Sequence, residues 1–295
     1  MRRFAPFPGA VATELMNTPR DWPDGTLGTI GSLEVRLARN TREVRLAQAL
    51  RYHVFYREMS AQTGPAGFLR RRDVDGYDAI CDHLLVIDHE PDPEIFTRRR
   101  DRRPAVVGTY RLLRQDVAEQ HGGFYTATEF DVASLVERKR PLRFLELGRS
   151  CVLKPYRGKR VVELLWAGNW AYVQHYAIDA MIGCASLEGT GPDRFALPLS
   201  FLHHYARAPE DWRVSALPDR YVEMNRIPAE AIDQRAAMNA LPPLLKGYLR
   251  LGATVGDGAV IDHQFGTTDV CVILPVSAIN PRYYSHFGPP KAQLF

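Results

Sequence analysis

Apolar and polar positions along the chain follow two different periods, and the switches between them lay out an α+β order. Residues 30–37 (IGSLEVRL) alternate at every second position, as a strand with one buried face does. From Thr41, a fair N-cap, through Met59 the spacing lengthens, with Val44, Ala47, Leu50 and Val54 on one stripe of a helix. Gly64, Pro65 and Gly67 break the chain, and residues 70–73 open a polar loop. Strands are predicted at 83–88 (HLLVID), 105–113 (AVVGTYRLL) and 144–153 (FLELGRSCVL), the last of them central. Residues 115–141 read only as a polar stretch.

Pro155 and Gly158 then turn into a helix over 161–176, whose stripe is Val161, Leu165, Gly168 and Tyr172. A strand follows at 180–185 (AMIGCA), then a helix capped by Asp193 that runs through His204 and Tyr205. A short helix at 244–251 and strands at 259–262 and 270–275 complete the pattern, with no internal repeat. Residues 1–25 are expected to be a flexible lead-in, and 26–295 a single domain. After Met1, Arg2 and Arg3, the residues Pro6, Pro8 and Gly9 interrupt any apolar export segment, so a cytoplasmic location is expected.

Composition narrows the class. Of 295 residues, 45% are hydrophobic and 24% charged, which excludes collagen-like and wholly disordered chains. The longest apolar run, 270–276, falls far short of the roughly 20 residues that span a bilayer. Cys81, Cys151, Cys184 and Cys271 form no CxxC pair, and three of them sit in apolar runs, which suits free thiols and no zinc site. No metal is expected. A net charge of +4 is too small to argue nucleic-acid binding. Only five of the 38 basic residues are lysine, however, leaving 33 arginines, whose planar forks suit phosphate and carboxylate.

One arginine-rich segment has a specific position. Lys154, Pro155, Tyr156, Arg157, Gly158, Lys159 and Arg160 lead directly into a helix, where free backbone N–H groups and the helix dipole favour phosphate. An exposed basic loop is the structural alternative. The segment 151–165 resembles the acyl-donor signature of the GNAT N-acetyltransferase fold, in which strand, turn and helix cradle the phosphates of coenzyme A or phosphopantetheine. The pattern prefers glycine where Arg160 stands and a small residue where Val162 stands. That departure leans toward the single phosphodiester of an acyl carrier protein. The resemblance thus implies Cys151, Leu153, Tyr156, Arg157, Gly158, Lys159 and Arg160 as the phosphopantetheine-binding set, on a mixed central sheet flanked by helices and followed by a C-terminal extension.

Acyl-homoserine-lactone synthases share that fold, and their motifs are matched over about 45–165. The matches are Arg51 with Phe55, the Asp75-x-x-Asp78 loop, Arg111 on a strand after Gly108, and Glu146 three residues before Arg149. Over nearly the whole chain, the closer resemblance is to ornithine–acyl carrier protein N-acyltransferases. It is carried by 81–86 (CDHLLV), 107–114 (VGTYRLLR), 144–152 (FLELGRSCV), 163–166 (ELLW), 181–186 (MIGCAS), 199–204 (LSFLHH) and 246–253 (KGYLRLGA). It implies a cofactor-free transfer of a (3-hydroxy)fatty acyl group from acyl carrier protein to the α-amine of L-ornithine. The alternatives are a synthase consuming S-adenosylmethionine and a non-catalytic protein that binds acidic partners.

N-acylation requires an ammonium to lose its proton and a developing oxyanion to find a donor. Glu146 is the expected proton guide, with Arg149 beside it in the catalytic pair. Side chains three apart on a strand share a face only if a bulge intervenes, and Gly148 is the candidate bulge residue; mere pairing of Glu146 with Arg149 is the alternative. Asp75 and Asp78 suit the acceptor's ammonium groups, and Arg51 or Arg111 its α-carboxylate. His203 and His204, adjacent on a helix, cannot chelate one metal; Asp262 with His263 is a weaker acid–base candidate. The run Arg98, Arg99, Arg100, Asp101, Arg102, Arg103 suits docking to acidic carrier protein or to anionic headgroups of the inner membrane.

Overall fold

A computed structural model describes residues 25–59, 61, 70–96 and 104–280, without the side chain of Lys159. Residues 1–24 of the expected lead-in, the Gly64–Gly67 break and the arginine run at 98–103 lie outside the described residues. Eight strands form one mixed sheet in the order β1-β2-β3-β4-β5-β6-β8-β7. β1 (Gly28–Ile30) and β2 (Leu33–Leu37) form a hairpin where one continuous strand was expected. The reason is Gly31, whose φ of +62° reverses the chain without disturbing the period-2 alternation on either side.

α1 (Thr41–Tyr52) is capped by Asn40, one residue before the expected cap, through its side-chain oxygen to the Glu43 N–H at 3.1 Å. It continues as a π-helix over His53–Glu58. Next come β3 (Asp82–Asp88) and β4 (Ala105–Arg114). The stretch that had looked merely polar contains α2 (Gln115–Gln120), a 3₁₀ turn at Tyr125–Thr128 and α3 (Val132–Arg138). Each is too short to show a helical stripe in sequence. β5 (Phe144–Val152), α4 (Lys159–His175) and β6 (Ala180–Glu188) form the strand–helix–strand centre.

α5 (Ala196–Tyr205) begins after a 3₁₀ turn at Pro192–Phe195, so Asp193 lies in that turn and is not the cap. α6 (Gln234–Ala240), α7 (Pro243–Leu251), β7 (Thr254–Asp262) and β8 (Thr267–Pro275) follow.

The two faces of the sheet are covered by different helices. Val44 and Ala47 of α1 pack with Leu85 and Ile87, whereas Val161, Leu164 and Leu165 of α4 pack with Leu84 and Val86. Alternate β3 residues therefore serve opposite layers. Gly168 allows α4 to lie close, because a Cβ there would sit 2.8 Å from Leu84 and 2.9 Å from Val35. Among the described residues no helix is long and apolar enough to cross a membrane.

Two irregularities shape the centre. β5 pairs with β6 only over Phe144–Ala180, Leu145–Met181 and Glu146–Ile182, after which the strands part. Beside that opening, Gly148 of β5 stands opposite Arg111 and Cys151 opposite Thr109, so Arg149 and Ser150 together face Tyr110. This is a β-bulge, and Arg149 adopts a φ of +49° within it. The expected bulge is present, but it lies at Arg149 and Ser150, one residue beyond Gly148.

Candidate active site

Three arginines and three aspartates form a buried network on the α1 side of the sheet. Arg51 is 1% exposed and donates from Nε to Asp73 Oδ2 at 2.8 Å and from Nη2 to the Asp73 carbonyl at 2.6 Å. Its Nη1 and Nη2 reach the two carboxylate oxygens of Asp78, both at 2.8 Å, a bidentate fork. Arg111 donates from Nη1 to Asp75 Oδ1 at 2.6 Å and to Asp78 Oδ1 at 3.2 Å. Arg149 donates from Nη2 to Asp75 Oδ2 at 3.0 Å, and its Nε is 3.4 Å from Asp73 Oδ2.

The six charges balance, which makes burial tolerable. Burial raises the Asp75 and Asp78 carboxyls, but the facing guanidinium groups win and hold both below the usual carboxylate range. Gln48 and the backbone carbonyl of Asp78, bonded to His83, tie the network into α1 and β3. Asp73, absent from the sequence-based set, is as deeply engaged as Asp78. Its only signal was a carboxylate ending an otherwise basic loop.

Glu146 is 5% exposed and does not pair with Arg149 among the described residues. Its Oε2 accepts the Tyr125 N–H at 3.0 Å and its Oε1 the Thr126 N–H at 2.6 Å, at the start of the 3₁₀ turn. Burial outweighs those bonds and raises the Glu146 carboxyl above its ordinary range. The Arg149 guanidinium lies 4.8 Å from the centroid of the Tyr125 ring and 4.6 Å from that of Phe265. Phe265 also meets Phe55 edge-on at 5.7 Å. The structure thus brings Arg51, Phe55, Asp75, Asp78, Arg111, Glu146 and Arg149 into one region and adds Asp73, Tyr125, Thr126 and Phe265.

An apolar cleft opens where β5 and β6 part, lined by Leu147, Met181, Gly183, Tyr248, Val272 and Leu274. Gly183 is required there, since a Cβ would lie 2.3 Å from the Leu147 carbonyl oxygen. At the basic turn, Gly158 takes the N-cap position of α4 without a side-chain cap, leaving first-turn N–H groups available to an anion. Arg157 is already held by the Val152 carbonyl at 3.0 Å and by Glu58. Tyr156 donates to Asp88 at 2.7 Å, and the Leu153 N–H reaches the Val107 carbonyl at 2.9 Å. Cys151 is buried, its thiol pushed up to about 12, which makes it inert as a nucleophile. Arg160 and Val162 are exposed beside the turn.

Asp262 is not paired with the exposed His263. Its Oδ1 accepts the N–H groups of Gln264 and Phe265 at 2.7 and 3.0 Å, fixing the turn that carries Phe265 to Arg149. Asp262 also faces Glu129 and Asp269, and one carboxylate oxygen from each lies within 4.8 Å of the others.

The acetyltransferase (GNAT) domain family matches residues 50–167. Over 265 residues the chain is 54% identical to the L-ornithine N(alpha)-acyltransferase of Agrobacterium fabrum, covering 90% of this chain and 88% of that protein. With the L-ornithine N(alpha)-acyltransferase of Rhizobium meliloti it shares 55% over 262 residues, covering 89% and 86%. A solved N-acyl amino acid synthase from uncultured soil microbes superposes with a TM-score of 0.46 at 9% identity, covering 85% of this chain and 97% of that one.

Proposed function

Because the chain belongs to the L-ornithine N(alpha)-acyltransferase family, we propose that it moves a (3-hydroxy)fatty acyl group from acyl carrier protein to the α-amine of L-ornithine, giving lyso-ornithine lipid. That it is an acyltransferase follows from the membership itself; donor, acceptor and residue roles are the proposal. The observation that carries it is the meeting, at one strand opening, of a buried carboxylate, a bulged arginine, an apolar cleft and a helix N-terminus.

The phosphodiester of phosphopantetheine sits on the first turn of α4, with Gly158 admitting it and the exposed Arg160 at its entrance. Carrier protein, acidic at its surface, docks on the exposed residues of this turn. The acyl chain enters at the apolar cleft between β5 and β6, a space of about 10 Å³ that widens to admit it, with Tyr248 and Leu274 at its border. The thioester carbonyl then lies beside the bulge. A bulge leaves its extra residue out of the regular ladder, and the backbone N–H of Arg149 or Ser150 is the donor assigned to the developing oxyanion.

Arg51 and Asp78 hold each other and frame the pocket. Arg149, with donors to spare beyond its bond to Asp75, takes the acceptor's α-carboxylate. Glu146 receives the proton released as the α-nitrogen attacks, directly or through a water. The α-ammonium gives one proton to solvent before attack; the C–S bond breaks as the C–N bond forms, and the phosphopantetheine sulfur leaves as the thiol, taking up the proton that Glu146 received. No protein nucleophile is needed, in keeping with the inert Cys151. No cofactor enters these steps, and the amphiphilic product suits release at an anionic membrane surface. The test is the lipid profile of a bacterial host lacking aminolipids after expression of the chain. Acyl-ornithine species are expected; their absence with acyl carrier protein abundant would refute the proposal.

A further inference from the structure

Resting on the acceptor assignment above, the geometry points to Glu129, Asp262 and Asp269 as the subsite that grips the side-chain ammonium of the acceptor amino acid. Glu129 is 2% exposed, Asp262 8% and Asp269 6%, the first after a 3₁₀ turn and the other two on the β7–β8 hairpin. Buried carboxylates need a cation or a full set of hydrogen bonds. Of the three carboxylates Arg220 reaches Glu129, at 3.3 Å, its other bonds going to the Thr128 and Ile261 carbonyls, and the Cys184 thiol lies 3.3 Å from the other Glu129 oxygen. Asp262 uses one oxygen on its own turn. Asp269 Oδ1 is buried with no hydrogen-bond partner among the described residues. Asp269 thus keeps one unfilled acceptor oxygen within a group of three carboxylates, while Thr267 and Ser186 face its carboxyl group.

The shape suits an alkylammonium. Its three N–H donors, each about 2.8 Å from an oxygen in tetrahedral array, place the acceptors about 4.6 Å apart. The three oxygens lie within 4.8 Å of one another. Gripping a small divalent ion would draw them to about 3 Å, beside the positive charge of Arg220.

The position suits it too. Cys184 links the trio to the Glu146 end of the site, lying 3.8 Å from the Thr126 hydroxyl, while the Thr126 N–H is bonded to Glu146. The Asp262 turn carries Phe265 onto Arg149. An amino acid with its α-carboxylate at Arg149 and its α-nitrogen near Glu146 can thus extend a short cationic side chain to the trio.

The test compares acyl transfer from acyl carrier protein to ornithine and to norvaline, which has the same carbon chain without the terminal amine. Wild-type protein is expected to prefer ornithine by about 100-fold or more in kcat/KM. Asp269→Asn and Glu129→Gln should lower kcat/KM for ornithine about 100-fold, chiefly through KM, while leaving norvaline transfer unchanged. Equal loss for both acceptors, or an unchanged ornithine KM, would overturn the subsite. If the variants do not fold, wild-type protein decides alone: norvaline used within a few-fold of ornithine is the overturning result. Uptake of calcium or magnesium by wild-type protein, lost in Asp269→Asn, would reassign the trio to a divalent cation. Failure of wild-type protein to acylate ornithine at all would instead refute the proposed function.

Discussion

Glu146 and Arg149, three residues apart on β5, meet on Tyr125 without bonding to each other: the first accepts its backbone N–H, and the second lies over its ring. A regular strand would send these side chains to opposite faces. The bulge at Arg149 and Ser150 brings both to Tyr125, the arrangement in which the proposed function has carboxylate and guanidinium act on different atoms of one substrate.

Replacing Glu146 by Gln is therefore expected to lower kcat by about 10²- to 10⁴-fold. Gln offers one acceptor oxygen to two N–H groups, so some stability is lost as well, about 1–3 kcal/mol. Glu146→Asp keeps the carboxylate, and partial recovery of kcat would separate proton transfer from loop positioning. Steady-state rates for both variants check this; Glu146→Gln at wild-type kcat would contradict the assignment.

Asp78→Ala leaves Arg51 buried with two donors unpaired. Breaking a buried pair from one side costs about 3–5 kcal/mol, which at this chain length lowers the melting temperature by about 10 °C. Scanning calorimetry reads it; a change within 2 °C would show that the network does not frame the pocket.

Gly183→Ala forces a methyl group against the Leu147 carbonyl at the strand opening. Strain of about 1–3 kcal/mol is expected, together with reduced use of long-chain donors. Unfolding curves and a donor chain-length series test the two parts. Unchanged values in both would mean that β5 and β6 do not bound the acyl cleft.

Burial, reinforced by Glu129, pushes the Asp269 carboxyl up to about 7 from an ordinary 3.8. Its surroundings are Glu129, Asp262, Thr267, Ser186, Cys184 and Cys271, with Arg220 beyond Glu129. Between those two values the folded protein keeps a proton that the unfolded chain has released. The stabilisation is complete below about 4 and lost as pH rises through about 7. Asp269→Asn should then gain on wild-type protein as pH goes from about 5 to 8, by on the order of 5 °C in melting temperature. A pH-independent difference would contradict the titration.

Much of this site was legible in sequence, because strand period, helix stripe and the Lys154–Arg160 turn are local patterns. Arg111 in an apolar strand announced a buried partner. What could not be read was which aspartate meets which arginine, since Asp73, Asp75 and Asp78 are interchangeable until the loop is folded. The acidic trio was illegible for a different reason. Glu129 directly follows a short 3₁₀ turn, while Asp262 and Asp269 flank a hairpin more than 130 residues later. Only the sheet order, which places β7 and β8 next to β6, brings them together.

The most direct test of the account is tandem mass spectrometry of the product formed by purified protein from 3-hydroxyacyl–acyl carrier protein and ornithine. Acyl transfer to the α-nitrogen alone is predicted, with the side-chain ammonium held at Glu129, Asp262 and Asp269. Acylation of the side-chain nitrogen, or no consumption of ornithine, would contradict it.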